Sequence, residues 1–128
     1  MKVLLDTHSL LWATLKPSLL SRKAAAVIAD PATVIYVSAA SAWEIATKVR
    51  LGKLPGAEEF EREFLGDMEG AGYTLLPITT EHALRAGRLQ GDHGDPFDRM
   101  IAAQALAEDI PVISMDKKLD AFGIRRIW

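Results

Sequence analysis

Cysteine is absent, and with it disulfides, thiolate zinc sites and cysteine nucleophiles. No apolar run approaches the length of a membrane span. The first apolar run, Val3-Leu4-Leu5, is interrupted by Asp6 and is too short for a signal peptide. A soluble cytoplasmic protein is therefore the expectation. A surplus of either charge is also missing: 15 Lys and Arg face 17 Asp and Glu, a formal net charge of -2. That balance exerts no bulk pull on nucleic acid, so a nucleic-acid substrate would need a local basic patch. Neither an internal repeat nor a low-complexity tract is present. What remains is ordinary globular composition, 49% hydrophobic and 25% charged, over 128 residues. This length reads as a single domain, residues 1–128, long enough to bury roughly two-thirds of its unfolded surface.

Short β-branched runs alternate with stretches of helical periodicity. Val3–Leu5, Val34–Val37, Thr74–Ile78, Val112–Ser114 and Ile124–Ile127 read as strands, the last an edge strand. Ser9–Leu15, Ser21–Asp30, Ala39–Leu51, Ala57–Glu69, Thr80–Leu89, Phe97–Glu108 and Lys117–Phe122 read as helices. In Ala57–Glu69 the apolar side carries Phe60, Phe64, Leu65 and Met68. The alternation predicts a mostly parallel sheet with helices on both faces, an α/β/α sandwich.

Four acids stand out against this pattern. Asp6 follows the first strand, Glu44 lies past the second, Asp98 opens a helix, and Asp116 follows Val112-Ile113-Ser114. In an open parallel sheet the carboxyl ends of the strands share one edge, where ligands bind. Four acids distant in sequence can therefore meet in one cleft. Each also has a local role available. Asp6 and Asp116 suit helix caps or Asx turns. Asp95 suits an N-cap with Pro96 at the first helical position, which leaves Asp98 in a first turn that favours negative charge. Yet Asp98 shares a helical face with Ile101, Ala102 and Ala105, toward the core. Glu44 sits among apolar neighbours, with Lys48 four residues on as a salt-bridge partner. Two carboxylates about 4 Å apart repel by roughly 4 kcal/mol at an effective dielectric near 20, so a four-acid cleft calls for protonation or cations. Oxygen ligands favour Mg²⁺ or Mn²⁺ over zinc. One or two such ions acidify water and stabilise a leaving oxygen, which suits attack on a phosphodiester.

The segments that carry these acids resemble a known family. They are Leu4-Leu5-Asp6-Thr7-His8, Ser38 to Ser41 leading into Trp43-Glu44-Ile45, His93-Gly94-Asp95-Pro96-Phe97-Asp98-Arg99 with Ile101-Ala102-Ala103-Gln104-Ala105, and Ser114-Met115-Asp116. In order and spacing, over essentially the whole chain, they look like the PIN-domain family, in particular VapC-type toxins of bacterial toxin–antitoxin systems. The resemblance implies an α/β/α sandwich and metal-dependent endoribonuclease activity. Its acidic quartet carries over to Asp6, Glu44, Asp98 and Asp116, and its small hydroxyl residue near the last acid to Ser114. It further implies a cognate antitoxin, whose helix would settle near the Phe60, Phe64 and Met68 helix, and a homodimer.

Other residues carry two readings each. Thr7 and Ser114 either hydrogen-bond the carboxylates or a water, or cap local turns. Arg99 either contacts the scissile phosphate or pairs with Asp95. Lys48, Arg50 and Lys53, and Lys117-Lys118, read as solvated surface that an RNA could use. His8 and His93 fall near the cleft as loop or surface polar residues, and His82 reads as an exposed helix residue. Trp12 and Trp43 read as core or interface. Two rival functions share the layout: a non-catalytic module of the same family that binds RNA or a partner, and a phospho-accepting receiver domain. The receiver reading lacks an acid before Asp6, where Leu5 stands, and lacks its Asp and Lys at later strand ends.

Overall fold

The computed structural model describes residues 1–128. Five short strands form one sheet: β1 Lys2–Leu5, β2 Val34–Ser38, β3 Thr74–Leu76, β4 Val112–Ile113 and β5 Arg126–Ile127. All neighbouring pairs run parallel, in the order β3-β2-β1-β4-β5. The chain moves outward from β1 through β2 to β3, then returns to the other side of β1 for β4 and β5. The order therefore reverses between β1 and β4, and the crevice outside the carboxyl ends of these two strands is the position where open α/β sheets bind ligands.

The helices are α1 Thr7–Leu15, α2 Arg22–Ala29, α3 Ala39–Arg50, α4 Glu58–Arg62, α5 Phe64–Ala71, α6 Thr80–Arg88 and α7 Pro96–Glu108, with 3₁₀ turns at Pro17–Leu19 and Lys117–Phe122. Side chains alternate across the strands and divide the core into two layers. Val3, Leu5, Ile35, Val37 and Ile113 pack with Leu10, Leu11, Ala24, Phe60, Phe64 and Met68. On the other face Leu4 and Val112 pack with Ile101, Ala102 and Ala105 of α7 and with Leu119 and Phe122. Helix α3 serves both layers, with Ile45 in the first and Ala40 in the second. The three-layer α/β/α sandwich is as the periodicity predicts. No helix is long and apolar enough to cross a membrane.

Several local expectations change. Ala57–Glu69 is not one helix: it breaks at Glu63 (φ -95°, ψ 13°) into α4 and α5. The break preserves burial of Phe60, Phe64 and Met68 but turns Leu65 outward, where it is 72% exposed. Helix α5 ends at Gly72, whose φ of 73° is a conformation open to glycine at little cost. Strand β3 stops at Leu76, since Pro77 has no N–H to donate to the ladder. His82 is buried, not exposed. Its Nδ1 accepts the Thr79 N–H (3.1 Å) in a capping box, and its Nε2 meets Glu108 Oε1 at 2.9 Å. Beside it, Gln104 accepts from Ser38 Oγ (2.5 Å) and donates to the Pro77 carbonyl (3.2 Å). Trp43 is no core residue: it is 62% exposed and meets the Phe97 ring edge-on, with centroids 4.9 Å apart.

Candidate active site

The crevice at the strand reversal is lined from β1 and β4 first. Asp6 leaves β1 and caps α1, its Oδ1 accepting the Ser9 N–H at 2.8 Å. Its Oδ2 accepts from the Ser114 hydroxyl, just past β4, at 2.5 Å. Ser114 Oγ in turn accepts the Asp116 N–H at 2.9 Å. The sequence from Asp116 N–H through Ser114 Oγ to Asp6 Oδ2 stitches the two central strand ends together. A second stitch, Ser9 Oγ donating to the Ile113 carbonyl (2.9 Å), runs beside it. Asp6 is 5% exposed, and that burial raises its carboxyl above the ordinary range, opposed by the Ser114 and Ser9 hydrogen bonds.

Asp116 caps the 3₁₀ turn that follows it, with Oδ1 accepting the Lys118 N–H at 3.0 Å. Asp98 enters from α7. Asp95 is the N-cap of that helix, accepting the N–H groups of Phe97 (2.9 Å) and Asp98 (3.1 Å), and Pro96 takes the first helical position. Asp98 then stands in the first turn, in line with the buried Ile101, Ala102 and Ala105. Its Oδ2 lies 2.8 Å from His93 Nε2. Burial is the main reason that its pKa is pushed up to about 6; the His93 hydrogen bond opposes it, and the charges of Asp95 and Glu44 add to it. One donor atom each from His93, Asp98 and Asp116 fall within 4.8 Å of one another.

Glu44 arrives from α3 and is 4% exposed. Its Oε2 pairs with Lys48 Nζ at 2.5 Å, as the spacing predicts. Its Oε1 is buried with no hydrogen-bond partner, the one such side-chain atom in the protein. A buried acceptor left unpaired costs on the order of 1–3 kcal/mol, which makes a missing cationic or donor partner the physical reading of this atom.

The four acids are thus joined in different ways. Asp6, Ser114 and Asp116 are linked by hydrogen bonds, Asp116 and Asp98 by proximity with His93, and Glu44 to Asp98 by charge. Asp6 and Glu44 lie outside the 4.8 Å group. Its donors are two carboxylates, which suit hard divalent cations such as Mg²⁺ or Mn²⁺, and one imidazole nitrogen, which suits transition metals.

Two expected contacts differ. The Thr7 hydroxyl bonds Ser41 Oγ at 3.0 Å, not a carboxylate, and ties α1 to α3. Arg99 does not pair with Asp95. It donates to the carbonyls of Ala86 (3.2 Å), His93 (3.0 Å) and Leu89, and its guanidinium lies over the Phe122 ring. Five N–H groups in a fixed fork suit such a staple. His93, expected near the cleft as a loop or surface polar residue, is a loop residue that stands at the cluster, stacked on Phe122 with centroids 5.8 Å apart. The available signal was its place two residues before the α7 cap, where the chain must pass the first helical turn.

An all-parallel α/β/α sandwich with carboxylates gathered at its strand reversal defines the class. The PIN domain family model matches residues 3–124, and the chain belongs to that family. Ribonuclease VapC16 of Mycobacterium tuberculosis is 41% identical over 63 residues, a stretch covering 49% of this chain and 43% of that protein. VapBC2 from Rickettsia felis, solved bound to a DNA fragment from its promoter, superposes with a TM-score of 0.71 at 14% identity, over 98% of this chain and 97% of the other. VapBC-1 from nontypeable Haemophilus influenzae gives 0.68 at 19% identity, over 98% and 96%. At these identities the two structures establish the shared fold.

Proposed function

We propose that the protein is a metal-dependent endoribonuclease, the toxin of a toxin–antitoxin pair. The observation that carries this reading is the meeting of Asp98, Asp116 and His93 beside the hydrogen-bonded Asp6 and the unpaired oxygen of Glu44. The ribonuclease named among its relatives and the VapBC assemblies among its structural neighbours support it. Asp98, Asp116 and His93 would hold a Mg²⁺ or Mn²⁺ ion, with Asp6 and Glu44 completing the acidic wall for one ion or two. When bound, the ion offsets phosphodiester charge and makes water a stronger nucleophile.

The chain's own residues do the rest. Ser114 keeps Asp6 oriented by its short hydrogen bond, and Lys48 neutralises one oxygen of Glu44 while leaving the other open. Arg99 fixes the loop that presents His93. Lys117 and Lys118, directly after Asp116, supply positive charge for flanking phosphates. The likeness to VapC-type toxins adds a cognate antitoxin and a homodimer to the proposal.

The decisive experiment incubates the purified chain with a mixed RNA pool, with Mg²⁺ or Mn²⁺ and with a chelator. Cleavage should need the ion and vanish in Asp6→Asn and Asp98→Asn. Folded variants that still cut at full rate would overturn the assignment, and absence of turnover in the parent would favour a module that only binds. Induced expression should arrest growth, with rescue by the product of an adjacent reading frame. Light scattering on the purified chain tests the dimer.

A further inference from the structure

A cavity of about 390 Å³ opens beside the acidic cluster, lined by Asp6, His8, Trp12, Met115, Asp116 and Lys117. Its volume falls in the range of small-ligand sites. Two of its walls, Asp6 and Asp116, belong to the candidate active site. The remaining walls are of another chemistry. Trp12 and His8 present rings whose centroids lie 5.9 Å apart at 53°. Trp12 is braced by Trp128, at 5.8 Å and the same angle, so its ring is held by packing. Met115 is 54% exposed at the cavity wall, a large apolar side chain with no place in the core. Lys117 is the only cation lining it.

We propose that this cavity receives a nucleobase of single-stranded RNA next to the scissile phosphate, with Trp12 as the stacking platform. The proposal rests on the ribonuclease reading of the neighbouring cluster. A phosphate inside the cavity would be repelled by the Asp6 and Asp116 carboxylates, whereas a neutral flat ring would not. Aromatic rings and a polarisable thioether suit a base face, and every base has one, so the platform tolerates sequence. Carboxylates can accept from the amino groups on a base edge. Lys117 at the wall can meet the next phosphate along the strand. A nucleotide whose phosphate reacts at the cluster places its neighbouring base near these shared walls.

The test measures binding of a short single-stranded RNA, and of the same oligonucleotide with one abasic residue beside the cut position. The cut position comes from the parent enzyme's cleavage products. The full chain carrying Asp98→Asn is used so that RNA stays intact, with Trp12→Ala and Trp12→Phe added in turn. Base stacking on an aromatic ring supports a five- to roughly hundredfold loss for the abasic RNA in the Asp98→Asn protein. That loss should shrink to near nothing in Trp12→Ala and persist largely in Trp12→Phe. Should Trp12→Ala fail to fold, Met115→Ala carries the comparison with a smaller abasic penalty than the parent, while Trp12→Phe largely retains it. An equal abasic penalty in all folded variants overturns the cavity assignment while leaving the nuclease intact. So does a Trp12 effect confined to a protein partner, with RNA affinity unchanged. No RNA cleavage by the parent enzyme defeats the nuclease reading itself, and the cavity assignment with it.

Discussion

Asp98 holds its proton up to about pH 6 because burial and two neighbouring carboxylates disfavour its charge more than His93 favours it. The folded chain therefore binds this proton more tightly than the unfolded chain does, and stability from it is present below pH 3.8 and lost as pH rises through about 6. Asp6, raised by burial, acts in the same sense. Asp98→Asn should accordingly stabilise the metal-free protein at pH 7.5, where burial disfavours the charged carboxylate. The gain should fade toward pH 4, as urea titrations at several pH values would show. A constant gain across that range would refute the burial account. His93 supports a second expectation. An imidazole in the proposed ligand set would favour Mn²⁺ over Mg²⁺. His93→Gln should weaken Mn²⁺ binding, followed by electron paramagnetic resonance, by about tenfold or more, with Mg²⁺ affected less. Equal loss for both ions would place His93 outside the ligand set.

At the scale of elements, each acid is positioned by the start of a helical segment or, for Glu44, by one face of α3. Asp6, Asp95 and Asp116 are all caps, so the local roles read from sequence are present in the structure. Capping explains why these acids are held rigidly: each backbone N–H bond fixes a rotamer before any ligand enters. The loop between α6 and α7 is held differently, by one guanidinium spanning three carbonyls. Arg99→Met should release it. Hydrogen exchange should rise at residues 89–95 while the central strands stay protected, and global stability should fall by roughly 1–3 kcal/mol for the freed polar groups. Unchanged exchange in that loop would show that the cap at Asp95 suffices without the arginine.

For the whole molecule, the proposed metal site would couple stability to cations. A ligand that binds only the folded state stabilises it by about 2.7 kcal/mol at a hundred times its Kd. Mn²⁺ should therefore raise the melting temperature by several degrees. The rise should be larger at pH 8 than at pH 5.5, where Asp98 is protonated, and it should be lost in Asp98→Asn. No shift in the parent at millimolar Mn²⁺ would argue against a metal centre. The sequence by itself determined the α/β alternation, the buried strands, the caps at Asp6, Asp95 and Asp116, and the Glu44–Lys48 pair. These follow from periodicity, propensity and spacings of a few residues, all local along the chain. Only the tertiary structure decided that Arg99 staples a loop, that His82 is buried, that Leu65 faces outward, and that His93 joins the carboxylates. Each depends on contacts across elements, such as Arg99 to Ala86 or His93 to Phe122, or on a helix break that rotates one face against another. Side-chain direction at such places is set by packing between distant segments, and no local pattern encodes it.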